Sequence, residues 1–149
     1  MSDVALRKAE ARDLDFFYDL SCDAEVRKNS LNTSVIDYQD HVVWFWDRLF
    51  RKDYLMFVVC ADGASVGQVR VQIVEGVGTV SYSIQNKSRG NNYGQSALEK
   101  LEKELTSYPT VRQICGVVKY ENTTSANIFL KLGYFRENLS DYILFKKEL

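Results

Sequence analysis

Apolar residues recur along this chain first at helical spacing, then at alternate positions, then at helical spacing again. Val4 to Arg7 predicts a short strand, and Asp13 is placed to cap a helix whose apolar side is Leu14, Phe16, Phe17 and Leu20. The stretch DAEVRKNSLNTSV, residues 23–35, has no clear period and reads as a loop between two helices. Asp37 then caps a second helix in which Tyr38, Val42, Phe45 and Leu49 recur, joined by Val43, Trp46 and Phe50. So wide an aromatic face predicts packing against something large. From Tyr54 the period changes. Leu55 to Cys60 is continuously apolar, the pattern of a strand covered on both faces, and Asp62-Gly63 is a strong hairpin turn. In Val66 to Val74, the residues Val69, Val71 and Ile73 alternate with Gln68, Arg70 and Gln72, which predicts one buried face. A turn around Glu75 to Gly78 leads into Thr79 to Ile84, where Val80, Tyr82 and Ile84 alternate with Ser81 and Ser83.

A glycine- and asparagine-rich loop, QNKSRGNNYGQ, follows from Gln85 to Gln95 and runs into a helix beginning near Tyr93 or Gly94. Ala97, Leu98, Leu101 and Leu105 form the inner stripe of that helix, which Pro109 ends. Ile114 to Val118 predicts a short buried strand, and Asn122 opens a fourth helix carrying Ala126, Ile128, Phe129 and Leu132 and stopped by Gly133. Two closing strands fit Tyr134 to Leu139 and Tyr142 to Lys146. Strand and helix in this order predict a mixed α/β protein, a mixed sheet with helices on both faces.

Composition narrows the reading. A chain of 149 residues is near the usual size of one domain, and residues 1–149 are expected to form one. Apolar residues make up 46% and charged residues 26%, as in soluble globular proteins, so disorder is not expected. The net charge is −1, with Lys and Arg scattered and forming no stripe, which argues against a nucleic-acid partner. Cys22, Cys60 and Cys115 are widely spaced with no paired motif, which argues for a reducing compartment and against a structural metal. No apolar run is long enough to span a membrane, and the N-terminus lacks a signal-peptide pattern. A cytoplasmic protein with no membrane partner is expected; a homodimer is left open.

The loop carries the candidate chemistry. A helix leaves its first N–H groups without intrahelical partners and places partial positive charge there, so an anion is its natural guest. Gly90 and Gly94 permit close backbone approach, Asn91 and Asn92 tolerate left-handed conformations, and Lys87 and Arg89 add charge. Outside the loop, Arg27, Asn29, Ser30, Asn32 and Thr33 offer hydrogen-bonding groups in a segment suited either to a substrate pocket or to a solvated connector. His41 lies beside the apolar stripe of its helix, where a structural role competes with a chemical one.

Arg89-Gly90-Asn91-Asn92-Tyr93-Gly94 resembles the pyrophosphate-binding motif of the GCN5-related N-acetyltransferase (GNAT) superfamily. Asn122, Ser125, Ala126, Phe129, Lys131, Leu132, Gly133 and Tyr134 resemble that family's C-terminal helix, and the element order fits across nearly the whole chain. Val26 to Ser30 followed by His41 to Phe45 also resembles the N-terminal portion of acetyltransferases that modify nucleotide-linked amino sugars of nonulosonic acid precursors, and of some relatives acting on protein N-termini. The resemblance implies a sheet of six to seven strands flanked by four helices and splayed between strands 4 and 5. It implies acetyl-CoA as cosubstrate, with no metal. The pantetheine arm would add like a strand along Tyr82 to Ile84, and the pyrophosphate would meet N–H groups of Arg89, Gly90, Asn91, Asn92, Tyr93, Gly94 and Gln95. Asn122 and Ser125 would face the arm and Phe129 would lie near the thioester sulfur, although the first two also suit a helix start and Phe129 also suits a core.

The sequence departs from the family pattern twice. Asn92 stands where the motif has its first glycine, and Phe129 stands where many members carry a tyrosine that protonates the leaving thiolate. Direct transfer needs a neutral amine, backbone N–H groups near the acyl oxygen and a proton for the sulfur. Tyr82 is the first candidate to handle that proton, with His41 and Glu75 after it, and Arg27, Asn29 and Ser30 are candidates to bind substrate. The expected activity is acetyl transfer to a primary amine of a small molecule, an amino sugar nucleotide before others. A protein N-terminal acetyltransferase and a non-catalytic coenzyme-binding module are the alternatives.

Overall fold

Two tight turns lay down the centre of the molecule. Asp62-Gly63 (φ 52° and 85°) and Glu75-Gly76 (φ 50° and 83°) both take left-handed backbone, the geometry that matches the twist of a two-residue hairpin. They join β2 (Tyr54–Ala61), β3 (Ala64–Val74) and β4 (Val77–Ile84) into an antiparallel meander. The computed structural model describes residues 3–149. The other strands are β1 (Val4–Lys8), β5 (Gln113–Val118), β6 (Phe135–Asn138) and β7 (Ile143–Glu148). Among the described residues they form one sheet of seven strands in the order β1-β2-β3-β4-β5-β7-β6, in which only β4 and β5 run parallel.

The helices are α1 (Leu14–Cys22), α2 (Ala24–Asn29), α3 (Tyr38–Leu49), α4 (Tyr93–Leu105) and α5 (Thr123–Lys131). The described residues thus hold five helices where the periodicity predicts four. The additional one, α2, is six residues long with no buried residue, so no apolar stripe could announce it. It exists because Asp23 caps it, accepting from the backbone N–H groups of Glu25 and Val26 at 3.0 and 3.1 Å. No helix among the described residues is long and apolar enough to cross a membrane.

Each face of the sheet has its own core. Under α4 and α5 lie Phe57, Val59, Val69, Val71, Val80, Ile114 and Phe145, closed by Leu98, Leu101 and Phe129. Under α1 and α3 lie Met56 and Val58 with Phe17 and Phe45. The wide face read on α3 is only half used. Phe45 is fully buried, whereas Val43, Trp46 and Phe50 are 71%, 43% and 76% exposed.

Asp13 does not cap α1 through its side chain. Its carboxylate instead takes both Nη atoms of Arg7 at 2.9 Å and the Glu10 N–H at 2.8 Å. Burial pushes the carboxyl up, but Arg7, the Glu10 N–H and Arg12 together outweigh it and hold Asp13 below the usual carboxylate range. A depressed pKa means stability that is present above the unfolded value of about 3.9 and lost as pH falls through the folded one. Urea unfolding should therefore show a loss between pH 5 and pH 2.5 that Asp13→Asn largely removes, with the variant less stable at pH 7. An unchanged acid slope would contradict the assignment.

Candidate active site

The site begins where β4 and β5 separate. Their ladder joins Val77 to Val80 with Gln113 to Gly116, yet β4 continues to Ile84 and β5 to Val118. Beyond Val80 the sheet is split, and the far edge of β4 is held only by β3. Backbone groups on a strand edge without a partner strand can pair with an extended guest.

Tyr82 stands beside this opening. Its hydroxyl lies 2.8 Å from Ser125 Oγ in the first turn of α5. Its ring is edge-on to Phe129, 6.3 Å between centroids. The start of α4 rests on the same ring, since a Cβ on Gly94 would come within 3.0 Å of Tyr82 Cε2. Gly94 thus serves helix-to-strand packing, not the open approach to a ligand that the sequence reading gave it. Burial raises the phenol above its usual pKa, with the Ser125 bond acting weakly the other way, so Tyr82 is protonated at neutral pH.

The loop before α4 has the local geometry of an anion cradle. Asn92 adopts φ 61°, ψ 22° and its side chain does not cap the helix. The first bond back from the helix is Ser96 N–H to the Asn92 carbonyl at 3.1 Å, which leaves the N–H groups of Gly94 and Gln95 ahead of it at the positive end of α4. Gly90 has φ +86° with open space where a Cβ would be. These features suit the diphosphate of a coenzyme.

Several expected ligands are otherwise engaged. The Arg89 N–H donates to the Asn86 carbonyl, and its guanidinium binds the Ile84 carbonyl, Asn86 Oδ1 and Asp23 Oδ1. Arg89 therefore fastens the loop to the cap of α2 and offers no free amide; the cradle narrows to residues from Gly90 onward. Asn91 Nδ2 donates to the Ser88 carbonyl at 2.9 Å. Asn122 caps α5, accepting from the Ser125 N–H at 3.3 Å. Phe129 is core, with its ring stacked on Phe145 and its tip directed at Gly116.

His41 belongs elsewhere. It sits among Tyr18, Trp44 and Phe45, and its Nε2–H donates to the Leu14 carbonyl at 3.0 Å. Burial lowers its pKa. It ties α1 to α3, and the structure does not bring it to Tyr82. Arg27 is likewise a brace, donating to the carbonyls of Ser21, Asn32 and Ser34 and to Ser30 Oγ, while Ser30 donates to the Val26 carbonyl. Asn29 ends α2, half-buried. Glu75 forms the β3–β4 turn at the far end of β4. No group of three or more His, Cys, Asp or Glu among the described residues is arranged to hold a metal ion.

A split parallel pair, a glycine-asparagine loop entering a helix and a capped helix closing on the split strand form one arrangement. A family model for the acetyltransferase (GNAT) domain matches residues 3–134. The chain belongs to the GNAT acetyltransferase family. It is therefore an acetyl-transferring enzyme by family.

The fold is that of solved GNAT acetyltransferases. Spermidine N-acetyltransferase from Vibrio cholerae, in complex with CoA and spermine, superposes with a TM-score of 0.87 at 13% identity, covering 97% of this chain and 95% of that one. RimL, the ribosomal L7/L12 alpha-N-protein acetyltransferase in complex with coenzyme A, gives 0.85 at 11% identity over 98% and 94%. An aminoglycoside acetyltransferase in complex with coenzyme A gives 0.84 at 14% identity over 98% and 95%. Comparison with curated protein sequences gives no match.

Sequence reasoning did not foresee Asp23, which caps α2 and holds Arg89 at 2.7 Å. An acidic residue starting a polar stretch is too common a signal to have found it. Asp23→Ala should lower stability by about 1–2 kcal/mol through loss of the cap and raise KM for acetyl-CoA several-fold by freeing the loop. Asp23→Asn, which keeps a cap but loses the charge, should fall between. Thermal melts and acetyl-CoA titrations check both; unchanged KM in both variants would dissociate Asp23 from the loop's function.

Proposed function

We propose that residues 1–149 act as one domain that transfers an acetyl group from acetyl-CoA directly to a primary amine of a small molecule, an amino sugar nucleotide before others. One observation carries this reading. The opening of β4 from β5 beyond Val80 lies against a cluster that combines a protonated phenol with a helix N-terminus, Tyr82 with Ser125 and the start of α4.

Acetyl-CoA supplies an acyl group activated as a thioester, whose thiol leaves readily because it titrates near about 8.5. The chain's own residues do the rest. Gly90, Asn92, Gly94 and Gln95 bind phosphate through backbone. The exposed edge of β4 orients the extended arm and offers N–H groups to the acyl oxygen as negative charge builds there. Tyr82 gives its proton to the departing sulfur, filling the role that Phe129 cannot, and Ser125 orients the phenol. The acceptor enters from the α1–α3 side, where its neutral nitrogen attacks while both partners are bound; as the C–N bond forms and the C–S bond breaks, the sulfur takes the Tyr82 proton, and the proton the nitrogen releases restores the phenol through solvent.

The amino sugar preference is supported by the likeness of residues 26–30 and 41–45 to acetyltransferases of that class. A protein N-terminus is the second reading, favoured by the likeness to RimL. Thiol release from acetyl-CoA, with mass spectrometry of products, separates them. Acetylated nucleotide amino sugars support the proposal, acetylated N-terminal peptides alone would transfer it to the second reading, and coenzyme binding with no thiol release on any amine would leave a binding module.

A further inference from the structure

Arg70 lies mid-strand on β3, between Met56 of β2 and Ser81 of β4, with its side chain on the α3 face of the sheet. Its guanidinium carbon sits 5.0 Å from the Trp44 ring centroid. Its Nε is shielded from solvent and has no hydrogen-bond partner, and among the described residues no carboxylate pairs with it. Arg70 as a whole is half-buried, and a guanidinium partly stripped of water is normally matched by an anion, because its attraction to an aromatic ring offsets only part of the lost hydration.

The surroundings add positive charge. Burial pulls the Arg70 pKa below the usual arginine value, Tyr54 opposes the shift, and Arg27 and Arg48 add to it electrostatically. The donors of Arg27 are spent on carbonyls and a hydroxyl, so no carboxylate neutralises it among the described residues. Arg48 is paired with Asp47, yet its own Nε is also buried without a partner.

The position is that of an acceptor site. Ser81, opposite Arg70, is the first β4 residue past the last pair with β5. Two residues along the same face, Gln68 donates Nε2–H to Ser83 Oγ at 2.9 Å and leaves its Oε1 buried without a donor. One strand face at the mouth of the opening therefore holds an unmatched cationic donor and an unmatched acceptor.

We infer that Arg70 receives an anionic group of the acceptor, a phosphate or a carboxylate, and that Gln68 Oε1 takes a hydrogen bond from a hydroxyl or amine of the same molecule. The inference rests on the acetyl-transfer reading of the opening and narrows it, excluding polycations such as polyamines, which Arg70 and Arg27, neither paired with a carboxylate among the described residues, would repel. A planar guanidinium can meet two oxygens of either group at once.

Matched acceptors test it. Glucosamine is compared with its phosphates and with a nucleotide-linked amino sugar, alanine with alaninamide, and spermidine serves as the polycation. The anionic member of at least one pair should show a KM about tenfold or more below its neutral parent; a preference in the sugar pair assigns phosphate, and one in the alanine pair assigns carboxylate. Arg70→Gln should erase the preference without changing KM for acetyl-CoA, and Arg70→Lys should restore part of it. Equal KM across every pair, best turnover of spermidine, or an Arg70→Gln effect equal on neutral and anionic acceptors would overturn the inference while leaving acetyl transfer intact. Binding is read separately by fluorescence of Trp44 in a Trp46→Phe background. Quenching by the phosphorylated sugar that Arg70→Gln abolishes, with no turnover of any amine, would keep the anion site and overturn acetyl transfer instead. Neither quenching nor turnover would overturn both.

Discussion

Tyr82→Phe lowers kcat for acetyl transfer by about 10²-fold or more, the low end of what a positioned general acid contributes, and leaves acetyl-CoA affinity within about twofold. The hydroxyl is the only part removed. The ring, which supports the start of α4 and meets Phe129 edge-on, stays in place. Ser125→Ala, which frees the phenol without deleting it, should cost about tenfold or less. The pH dependence follows from the direction of the shift. A phenol raised above about 10 by burial stays protonated through the neutral range, so a general acid at this position causes no fall in rate until pH exceeds that value. The neutral fraction of the amine meanwhile grows with pH, so the rate should rise and then level. Wild-type kcat in the phenylalanine variant would remove Tyr82 from the chemistry. A rate that kept climbing beyond pH 10 only when Tyr82 is present would make it a base.

Phe129→Ala is expected to destabilise the protein by about 3–5 kcal/mol, the range for emptying a buried aromatic site. Phe129 is 2% exposed and is packed by Phe145 at 5.1 Å, Tyr134 at 4.9 Å and Tyr82 at 6.3 Å between centroids. Phe129→Tyr is the more informative change, because it adds the hydroxyl that the resemblance of the α5 motif to the family's C-terminal helix leads one to expect at this position. A Cβ on Gly116 would lie only 2.5 Å from Phe129 Cζ. The ring tip thus already occupies the space over β5 that glycine leaves, and a hydroxyl there would meet the strand. We expect a loss of about 1–3 kcal/mol from overpacking and no gain in kcat. Urea denaturation of the two variants checks the stabilities, and thiol release checks the rate. A stable Phe129→Tyr enzyme that rescues Tyr82→Phe would show that the two positions share one role.

Individual residues show why some features were legible in the sequence and others were not. Asp62-Gly63 and Gly133 act through backbone preference and Asp37 through its carboxylate, which accepts from the Asp40 N–H; all reach only a few residues, and each does locally what its type suggests. Asp13 misled because its helix-cap chemistry was outcompeted by Arg7, six residues back and brought close by the turn at Ala11–Asp13. The pattern of β3 predicts one buried face and does not foretell that its polar side is also shielded, with Trp44 of α3 over Arg70 and Gln68 6% exposed. Alternation reports which side of a strand is apolar but is silent on what lies over the other side. Gly94 was read as room for a ligand and is room for Tyr82. The placement of Tyr82 beside Ser125, 43 residues away in sequence, has no local signature.

By itself the sequence determined the order and kind of nearly all elements, the turns of the central meander, the left-handed Asn92 and the loop-to-helix join. Periodicity and backbone preference are short-range, and short-range physics decides such things. The tertiary structure alone decided which polar groups are left without partners and which are consumed: Arg89 by Asp23, His41 by Leu14, Arg27 by its own loop, and Arg70 by no carboxylate among the described residues. Partnership between charges far apart in sequence depends on packing and desolvation.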